Sequence, residues 1–287
     1  MTPIAYLNGQ MLPLDQVRIS PLDRGFLFAD GLYEMIPAYG GRLLGLERHL
    51  ERLAVGLDFM QLDPGRDGGH WHGLLEELVE RNGGGDLAVY LQITRGAATH
   101  RDHGFPIGVP ATVFAMTTPL TPLPQRVVAE GISTVTRLDI RWGACHIKTI
   151  ALLANVLARQ QALEAGAEDA ILVRDGLALE GAASNLFMVR HGELVTPPKD
   201  RRILPGITRD LVLELARGDG IPVREADIPA AELVLAEEVW LTSSTREIVP
   251  VSRIDDQPVG TGRPGPLFAR VRELYQNHKD QSGSTRL

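Results

Sequence analysis

Lys148 is the side chain of this sequence with the clearest capacity for covalent chemistry. Only three of the 29 basic residues are lysines, and the other two, Lys199 and Lys279, lie in polar stretches. Lys148 alone has apolar neighbours. A lysine amine that is buried loses its proton more readily and can then attack a carbonyl carbon, which an arginine cannot do. A surface lysine that extends into solvent fits this segment equally well.

Glu180 is the carboxylate best placed for a second role. It precedes a predicted strand in which residues 186–189 are apolar on both faces, as in a buried strand. A carboxylate at the end of a buried strand needs a cationic partner. Either a ligand or an arginine in a structural ion pair could supply that positive charge.

Two polar segments contain the donors that a phosphate group needs. Ile207 and Thr208 follow Gly206 at the start of a predicted helix, and the first backbone N–H groups of a helix bind anions. Ser243 and Ser244 belong to a run of hydroxyl side chains at the end of a predicted strand. Helix capping and an ordinary polar loop explain the same residues.

The loop of residues 94–106 carries two arginines and two histidines, including Arg101 and His103. An arginine can bind a carboxylate through two parallel hydrogen bonds. The histidines lack a third ligand at the spacing of a zinc site, so we expect no metal. Cys145 has no recognisable partner, and we expect it to be a buried structural thiol.

The bulk composition narrows the class of partner. A formal net charge of -7 and a pI near 5.6 disfavour nucleic acids and anionic membranes, which require a basic surface. No apolar run approaches the length of a membrane span, and the N-terminus lacks the pattern of a secretory signal. The single cysteine excludes an internal disulfide. We therefore expect a soluble cytoplasmic protein that binds small molecules.

Three prolines between Pro119 and Pro124 predict a domain boundary, because they interrupt both helices and central strands. We expect an N-terminal domain at 1–118, a linker at 119–125 and a C-terminal domain at 126–287. In the first domain, strands at residues 4–7 and 32–39 and an amphipathic helix at residues 46–60 predict mixed α and β structure.

The second domain contains more short strands than helices. Asp175 and Gly176 predict a hairpin turn between two of the strands. The helix predicted at residues 150–164 is apolar on most sides, so we expect it to be buried. A further helix is predicted to start near Gly206.

Taken in order, several motifs resemble those of the fold-type IV, or class IV, aminotransferases, which depend on pyridoxal 5'-phosphate (PLP). The similarity covers nearly the whole chain. It implies an α+β fold of two domains, a smaller mixed N-terminal domain and a larger C-terminal PLP-binding domain with a β-barrel-like core. The matching motifs are Asp23-Arg24-Gly25-Phe26, residues 28–34, His49-Leu50-Glu51-Arg52-Leu53, Ile147-Lys148-Thr149, Glu180-Gly181 with Ser184-Asn185, and Gly206-Ile207-Thr208-Arg209.

The resemblance also implies roles for individual residues. Lys148 would form a Schiff base with PLP and move a proton between the substrate and the cofactor. Glu180 would keep the pyridine nitrogen protonated, so that the ring accepts electrons. The residues implied for the phosphate group are Arg52, Ile207, Thr208, Ser243 and Ser244.

Within this family, three segments resemble the D-amino-acid aminotransferases, which exchange amino groups between D-alanine or D-glutamate and 2-oxo acids such as 2-oxoglutarate and pyruvate. These segments are residues 31–34, residues 89–96 and the Arg101-Asp102-His103 spacing. The resemblance implies a homodimer in which Tyr33, with Arg101 and His103 of the neighbouring subunit, binds the substrate carboxylate.

The chain departs from the D-amino-acid enzymes at one point, and several other activities of the same fold stay open as alternatives. The D-amino-acid enzymes have serines after the glutamate, where this chain has Ala182 and Ala183, so side-chain hydroxyls are absent at these two positions. Branched-chain L-amino acid aminotransferases, (R)-amine transaminases and 4-amino-4-deoxychorismate lyase share the fold and the same lysine and glutamate. They differ in how the pocket places the carboxylate.

Overall fold

The chain forms two compact units in a computed structural model that describes residues 2–66 and 68–284. The first unit comprises the described residues up to Leu120 together with Ile147–Ala151. The second comprises Thr121–His146 and the described residues from Leu152 onward. The domain boundary predicted at 119–125 stays a prediction.

The first unit is built on a six-stranded antiparallel sheet with strand order β2-β1-β6-β5-β3-β4. Its central strands alternate buried apolar residues with side chains on the opposite face, as a strand that is covered on one side requires. The six strands are β1 (Ile4–Leu7), β2 (Gln10–Pro13), β3 (Gly31–Tyr39), β4 (Arg42–Leu43), β5 (Leu87–Thr94) and β6 (Thr112–Pro119).

Helices cover this sheet. The first unit contains α1 (Arg24–Phe28), α2 (Leu46–Phe59), α3 (Gly68–Arg81) and a short 3-10 helix at Leu14–Gln16. The predicted amphipathic helix at residues 46–60 is confirmed as α2, which buries Leu46, Leu50 and Leu53 in the core of the unit. The mixed α and β composition predicted for this part of the chain is therefore confirmed.

Lys148 belongs to a short segment that joins the first unit from far along the chain. The Tyr33 backbone N–H donates to the carbonyl of Lys148 (3.0 Å), and the Ile150 N–H donates to the carbonyl of Gly31 (3.1 Å). Ile147–Ala151 therefore lies beside the start of β3. Sequence patterning did not indicate this, because five residues are too few to show a strand period.

The second unit contains a ten-stranded sheet whose central part closes on itself. Six strands are hydrogen-bonded neighbours in the order β10-β14-β15-β7-β8-β9. The last of them, β9, pairs with the first, β10, where Glu180 lies opposite Asn185. The predicted β-barrel-like core is confirmed. The strands are β7 (Ile132–Leu138), β8 (Asp169–Arg174), β9 (Leu177–Gly181), β10 (Asn185–Arg190), β11 (Glu193–Thr196), β12 (Val223–Glu225), β13 (Ile228–Pro229), β14 (Glu238–Ser243), β15 (Glu247–Ile254) and β16 (Gln257–Pro258).

The hairpin between β8 and β9 turns at Asp175 and Gly176, as predicted. Both residues have left-handed backbone angles, with φ of 52° and 77°. Two consecutive left-handed residues match the twist of the flanking strands, and glycine adopts that conformation without a steric penalty.

The helices of the second unit are α4 (Gln125–Glu130), α5 (Leu153–Glu164), α6 (Ile207–Gly218) and α7 (Pro266–Ser284), with a 3-10 helix at Ala230–Leu235. The helix predicted near Gly206 is confirmed as α6. No helix in residues 2–66 or 68–284 combines the length and apolarity that a membrane crossing requires.

Helix α5 corrects one prediction. It begins at Leu153 rather than at residue 150, and the expectation that it is buried is wrong. Only its narrow side with Ala158 and Ala162 is buried, because the helix packs on the sheet mainly through β7 and β8. Leu153 and Val156 lie on the opposite side and are 70% and 59% exposed.

Candidate active site

The predicted covalent residue, Lys148, lies against an aromatic ring. Its Nζ atom is 4.2 Å from the centroid of the Tyr33 ring, close enough for a cation–π contact when the amine is protonated. The backbone hydrogen bond between the same two residues fixes their relative position. The structure therefore brings together the predicted cofactor-binding amine and the predicted substrate-binding tyrosine.

The Tyr33 ring lies close to a second aromatic ring, that of Tyr90 on the neighbouring strand β5. The ring centroids of Tyr33 and Tyr90 are 5.6 Å apart, and the Tyr90 hydroxyl donates to Gln92 Oε1 (2.6 Å). Burial, with a smaller effect from Tyr33, raises the pKa of Tyr90 to about 12. The Tyr90 hydroxyl is therefore a neutral donor at physiological pH.

The predicted phosphate ligand Arg52 is held by a buried carboxylate. Its Nε and Nη2 atoms donate to the two oxygens of Glu34 at 2.9 and 2.7 Å, which is a bidentate geometry. His49, one turn earlier on α2, contacts the same carboxylate at 2.7 Å through Nδ1. The side chain of Glu34 is fully buried, so this cluster is a fixed part of the fold.

The charges in this cluster follow from burial and pairing. Burial alone raises the pKa of Glu34, but the charge of Arg52 and the hydrogen bonds from Arg52 and His49 outweigh it and lower the pKa to about 2. Burial, the largest cause, lowers the pKa of His49, although Glu34 acts against it. We conclude that His49 is a neutral donor to Glu34, and that its contact with Glu34 is a hydrogen bond rather than an ion pair.

Arg101 and His103 both contact the aromatic ring of Phe28 in the first unit. The guanidinium carbon of Arg101 is 4.6 Å from the centroid of Phe28, and the rings of His103 and Phe28 are 5.1 Å apart. Both side chains are exposed. The structure thus groups these two predicted carboxylate ligands.

In the second unit, Glu180 is buried and surrounded by donors. Arg141 Nη1 makes a very close ion pair with Oε1. Oε2 accepts hydrogen bonds from Asn185 Nδ2 (3.2 Å) and from the backbone N–H of Leu204 (3.1 Å). An ionised carboxylate offers about four acceptor positions, so these three donors leave room for one more. The cationic partner predicted for Glu180 is present as Arg141.

Arg141 is itself fixed by a second acid. Its Nε and Nη2 atoms donate to Asp139 at 2.9 and 2.8 Å. Burial opposes the charge of Arg141, but hydrogen bonding to Asp139 and the charge of Glu180 raise its pKa. Burial raises the pKa of Glu180, while Arg141 acts in the opposite direction. The ion pair is therefore what favours the ionised form of Glu180.

The predicted phosphate donors Ile207 and Thr208 form the first turn of α6. Gly206 precedes them and carries no side chain that could cap the helix. A Cβ atom at Gly206 would overlap Asn185 Oδ1. Glycine is required here because Asn185 approaches the start of the helix closely.

Ser243 ends β14, and Ser244 follows in the turn. The Ser243 hydroxyl accepts the backbone N–H of Arg246 at 3.3 Å. The neighbouring Thr242 is buried, and its Oγ1 atom has no hydrogen-bond partner among the described residues. Such a buried hydroxyl favours an additional acceptor at this position.

Cys145 is buried, and its thiol donates to the carbonyl of Trp142 at 3.1 Å. Burial raises the pKa of Cys145, which disfavours the thiolate form. Within the described ranges, no three His, Cys, Asp or Glu side chains are grouped so that they could hold a metal ion.

Sequence reasoning missed the residues that orient the predicted ligands. In the first unit these are Glu34 and His49. The pattern contained a signal for His49, which lies three residues before Arg52 and so shares its helix face. In the second unit they are Arg141 and Asn185. Asn185 lies five positions from Glu180 in a motif that the sequence shows, whereas Arg141 lies 39 positions away and has no local signal.

Comparisons with known proteins place the chain in one family. The family described as amino-transferase class IV matches residues 31–254. A D-alanine aminotransferase of Bacillus licheniformis is 39% identical over 270 residues, which cover 94% of this chain and 95% of that protein. A D-alanine aminotransferase of Staphylococcus haemolyticus is 33% identical over 97% of this chain and 99% of that protein.

A solved structure agrees with this assignment. A branched-chain amino acid aminotransferase from T.th., solved with pyridoxamine 5'-phosphate, is 26% identical, covers 96% of this chain and 94% of that chain, and superposes with a TM-score of 0.91. The sequence relatives and the structural neighbour thus differ in substrate while sharing one fold, because the fold does not determine the substrate. This chain belongs to the class IV aminotransferase family.

Proposed function

We propose that this enzyme transfers amino groups between D-amino acids, such as D-alanine and D-glutamate, and 2-oxo acids, such as 2-oxoglutarate and pyruvate. The observation that carries the proposal is the position of the Lys148 amine against the Tyr33 ring. The D-alanine aminotransferases that are similar over nearly the whole chain support the choice of D-substrates.

The cofactor in this proposal is PLP. When bound, PLP offers a carbonyl to a lysine amine and a protonated ring that accepts electrons from the substrate Cα. The groups described above fit such a cofactor: the Glu180 carboxylate can accept one more hydrogen bond, and the N-terminus of α6 and the buried Thr242 hydroxyl can donate. The similar structure that contains pyridoxamine 5'-phosphate supports the same cofactor class.

Lys148 would bind the cofactor and act as the proton carrier. Its amine would take the proton from the substrate Cα and return it at C4′ of the cofactor. The contact with the Tyr33 ring restricts the amine, and a restricted base transfers protons in one geometry. The proton is therefore expected to leave from one face only.

Glu180 would hold the pyridine nitrogen in its protonated form. Its ionised carboxylate, supported by Arg141, can accept one further N–H donor. Since burial raises the pKa of Glu180, that support is needed for the negative charge that stabilises the ring cation.

The phosphate group would be bound mainly by backbone and hydroxyl donors. The N–H groups of Ile207 and Thr208 lie at the positive end of the α6 dipole. Ser243 and Ser244 would add hydroxyl donors. Arg52 would add a positive charge whose orientation Glu34 fixes.

The substrate carboxylate would be bound by Tyr33 and, in a homodimer, by Arg101 and His103 of a second copy of the chain. This arrangement would select the face of the Cα atom that meets Lys148. Ala182 and Ala183 offer no hydroxyl groups, so the carboxylate would depend more on the loop residues. We also propose a cytoplasmic location, to which the free thiol of Cys145 is suited.

The experiment compares wild-type protein and Lys148→Ala, each incubated with PLP. We expect the wild type to develop a visible absorption band that the variant lacks, and to form pyruvate from D-alanine and 2-oxoglutarate. Absence of the band in the wild type would refute the proposal. Turnover of L-leucine or an (R)-amine with D-alanine inert would replace the substrate assignment, and pyruvate release without a 2-oxo acid acceptor would indicate a lyase.

A further inference from the structure

The loop between β5 and β6 has no helix or strand of its own, yet it carries Arg101 and His103. Residues 100–105 of this loop are exposed. A segment without ladder hydrogen bonds takes its shape from whichever groups bind its backbone. The donors to its carbonyl groups therefore determine where the two side chains lie.

Arg24 supplies those donors. Its Nη1 atom donates to the carbonyls of Asp102 (2.5 Å) and Gly104 (3.2 Å), and its Nη2 atom donates to the carbonyl of His103 (3.2 Å). Three consecutive loop carbonyls thus converge on one guanidinium group. Arg24 is buried, with 4% of its surface exposed, so the anchor belongs to the body of the unit rather than to the loop.

Asp30 fixes the direction of this anchor. Its carboxylate accepts Arg24 Nε at 2.7 Å and Arg95 Nε at 2.9 Å. Arg95 in turn lies over the ring of Phe105, with 3.7 Å between its guanidinium carbon and the ring centroid. One carboxylate therefore orients two arginines that hold the loop at two points.

Phe28 supports the side chains in the same way. Its ring is the common surface for the Arg101 guanidinium and the His103 ring, and Arg24 approaches the same ring at 4.9 Å. The backbone anchor and the side-chain support thus meet at one residue of α1.

We propose that Arg24 is a positioning residue for substrate recognition, which fixes the loop so that Arg101 and His103 are preorganised to bind a carboxylate. The inference rests on the proposed function, in which these two side chains of a second copy bind the substrate carboxylate. A displacement of about 1 Å in such a ligand is enough to weaken recognition strongly. Arg24 does not itself touch the substrate in this proposal.

The test compares Arg24→Lys with the wild-type holoenzyme. A lysine keeps the charge, but its ammonium lacks the planar fork that binds three carbonyls. We expect the KM for D-alanine to rise by at least about tenfold while kcat changes by less than about threefold, since the loop contributes uniform binding. Arg18→Lys is the matched control, because Arg18 is exposed and donates to the carbonyls of Asp15 and Val17 instead.

A second readout does not depend on activity. Trypsin cleaves after arginine, and Arg101 is exposed. Release of the loop is expected to accelerate cleavage after Arg101 by about tenfold in Arg24→Lys and not in Arg18→Lys. If the wild type does not transaminate D-alanine, the proposed function fails, and the cleavage rates alone decide whether Arg24 anchors the loop. An unchanged KM together with an unchanged cleavage rate would overturn the inference.

If Arg24→Lys does not fold, Phe28→Leu provides the test. Loss of the ring removes the support for Arg101 and His103, so the KM for D-alanine should rise by several-fold. Phe26→Leu is its control, because Phe26 lies in the same helix and is 76% exposed. Equal KM values for the two variants would contradict the role of the Phe28 ring as a support for Arg101 and His103.

Discussion

Replacing Glu34 by glutamine tests whether charge holds the Arg52 guanidinium. The substitution keeps the size of the side chain and removes its negative charge. Arg52 then lies largely buried without its counter-ion, and the new amide group presents a donor where Arg52 and His49 also donate. Breaking one partner of a buried ion pair in this way destabilises proteins by about 3 to 5 kcal/mol.

The pKa of Glu34 gives an independent magnitude. It is lowered from 4.5 to about 2, and one pKa unit corresponds to about 1.4 kcal/mol. The ionised carboxylate therefore stabilises the folded state by about 3 kcal/mol near neutral pH. Because the folded pKa lies below the unfolded one, this stabilisation is complete above the unfolded pKa of 4.5 and is lost as the pH falls towards about 2.

The assay is native-state hydrogen exchange of the β5 amides, read by mass spectrometry, because it reports the first unit without assuming that the whole chain unfolds in one step. We expect Glu34→Gln to lower the free energy of opening by about 3 kcal/mol near pH 7 and by about half as much near pH 3. Glu80→Gln, an exposed glutamate on α3, is the matched control. If the free energies of opening of Glu34→Gln and the wild type differ by less than about 1 kcal/mol near pH 7, this reasoning is refuted. It is also refuted if the difference is not smaller near pH 3.

Two further substitutions probe the second unit. Arg141→Met should raise the pKa of Glu180 further, cost about 3 to 5 kcal/mol of stability and weaken PLP binding. Since a raised pKa favours the protonated folded state, the melting temperature of this variant should fall relative to wild type as the pH rises above 5. Gly206→Ala forces Asn185 away from Glu180 and from the carbonyl of Leu204, so urea denaturation should show a loss of about 2 kcal/mol or more. Gly218→Ala, where no atom lies within 4 Å of the added Cβ, should be neutral or stabilising.

Local patterns predicted much of the architecture. The apolar spacing of α2, the turn at Asp175 and Gly176 and the start of α6 depend on neighbouring residues, and sequence shows them directly. The burial of α5 was predicted wrongly because an apolar helix surface does not say how much of it a single chain covers. Burial depends on how many layers pack against the helix.

The same distinction between local patterns and long-range contacts applies to the candidate site. Lys148 and Glu180 could be proposed from the sequence because few residue types perform their chemistry. The contact between Glu34 and Arg52 spans 18 positions, and the one between Arg141 and Glu180 spans 39. No local period encodes pairs at that separation, so only the folded chain identifies them. Whether the predicted ligands act on one PLP molecule stays a prediction.

Three of the groups in the proposed function are oriented in the same way. An acid fixes an arginine in each case, as in Glu34 with Arg52, Asp139 with Arg141, and Asp30 with Arg24. The arginines are a proposed phosphate ligand, the support of Glu180 and the anchor of the carboxylate-binding loop.

A buried arginine is costly unless its charge is paired and its donors are satisfied. In Arg24 and Arg141 the acid meets that requirement on one side of the guanidinium, and other donors of the same group bind the loop carbonyls and Glu180, respectively. Because the pairing forms when the unit folds, the cost of ordering these groups is met before any ligand binds. Removing any one of these acids should therefore disturb one group and leave the other two in place, since no two of the pairs share a residue.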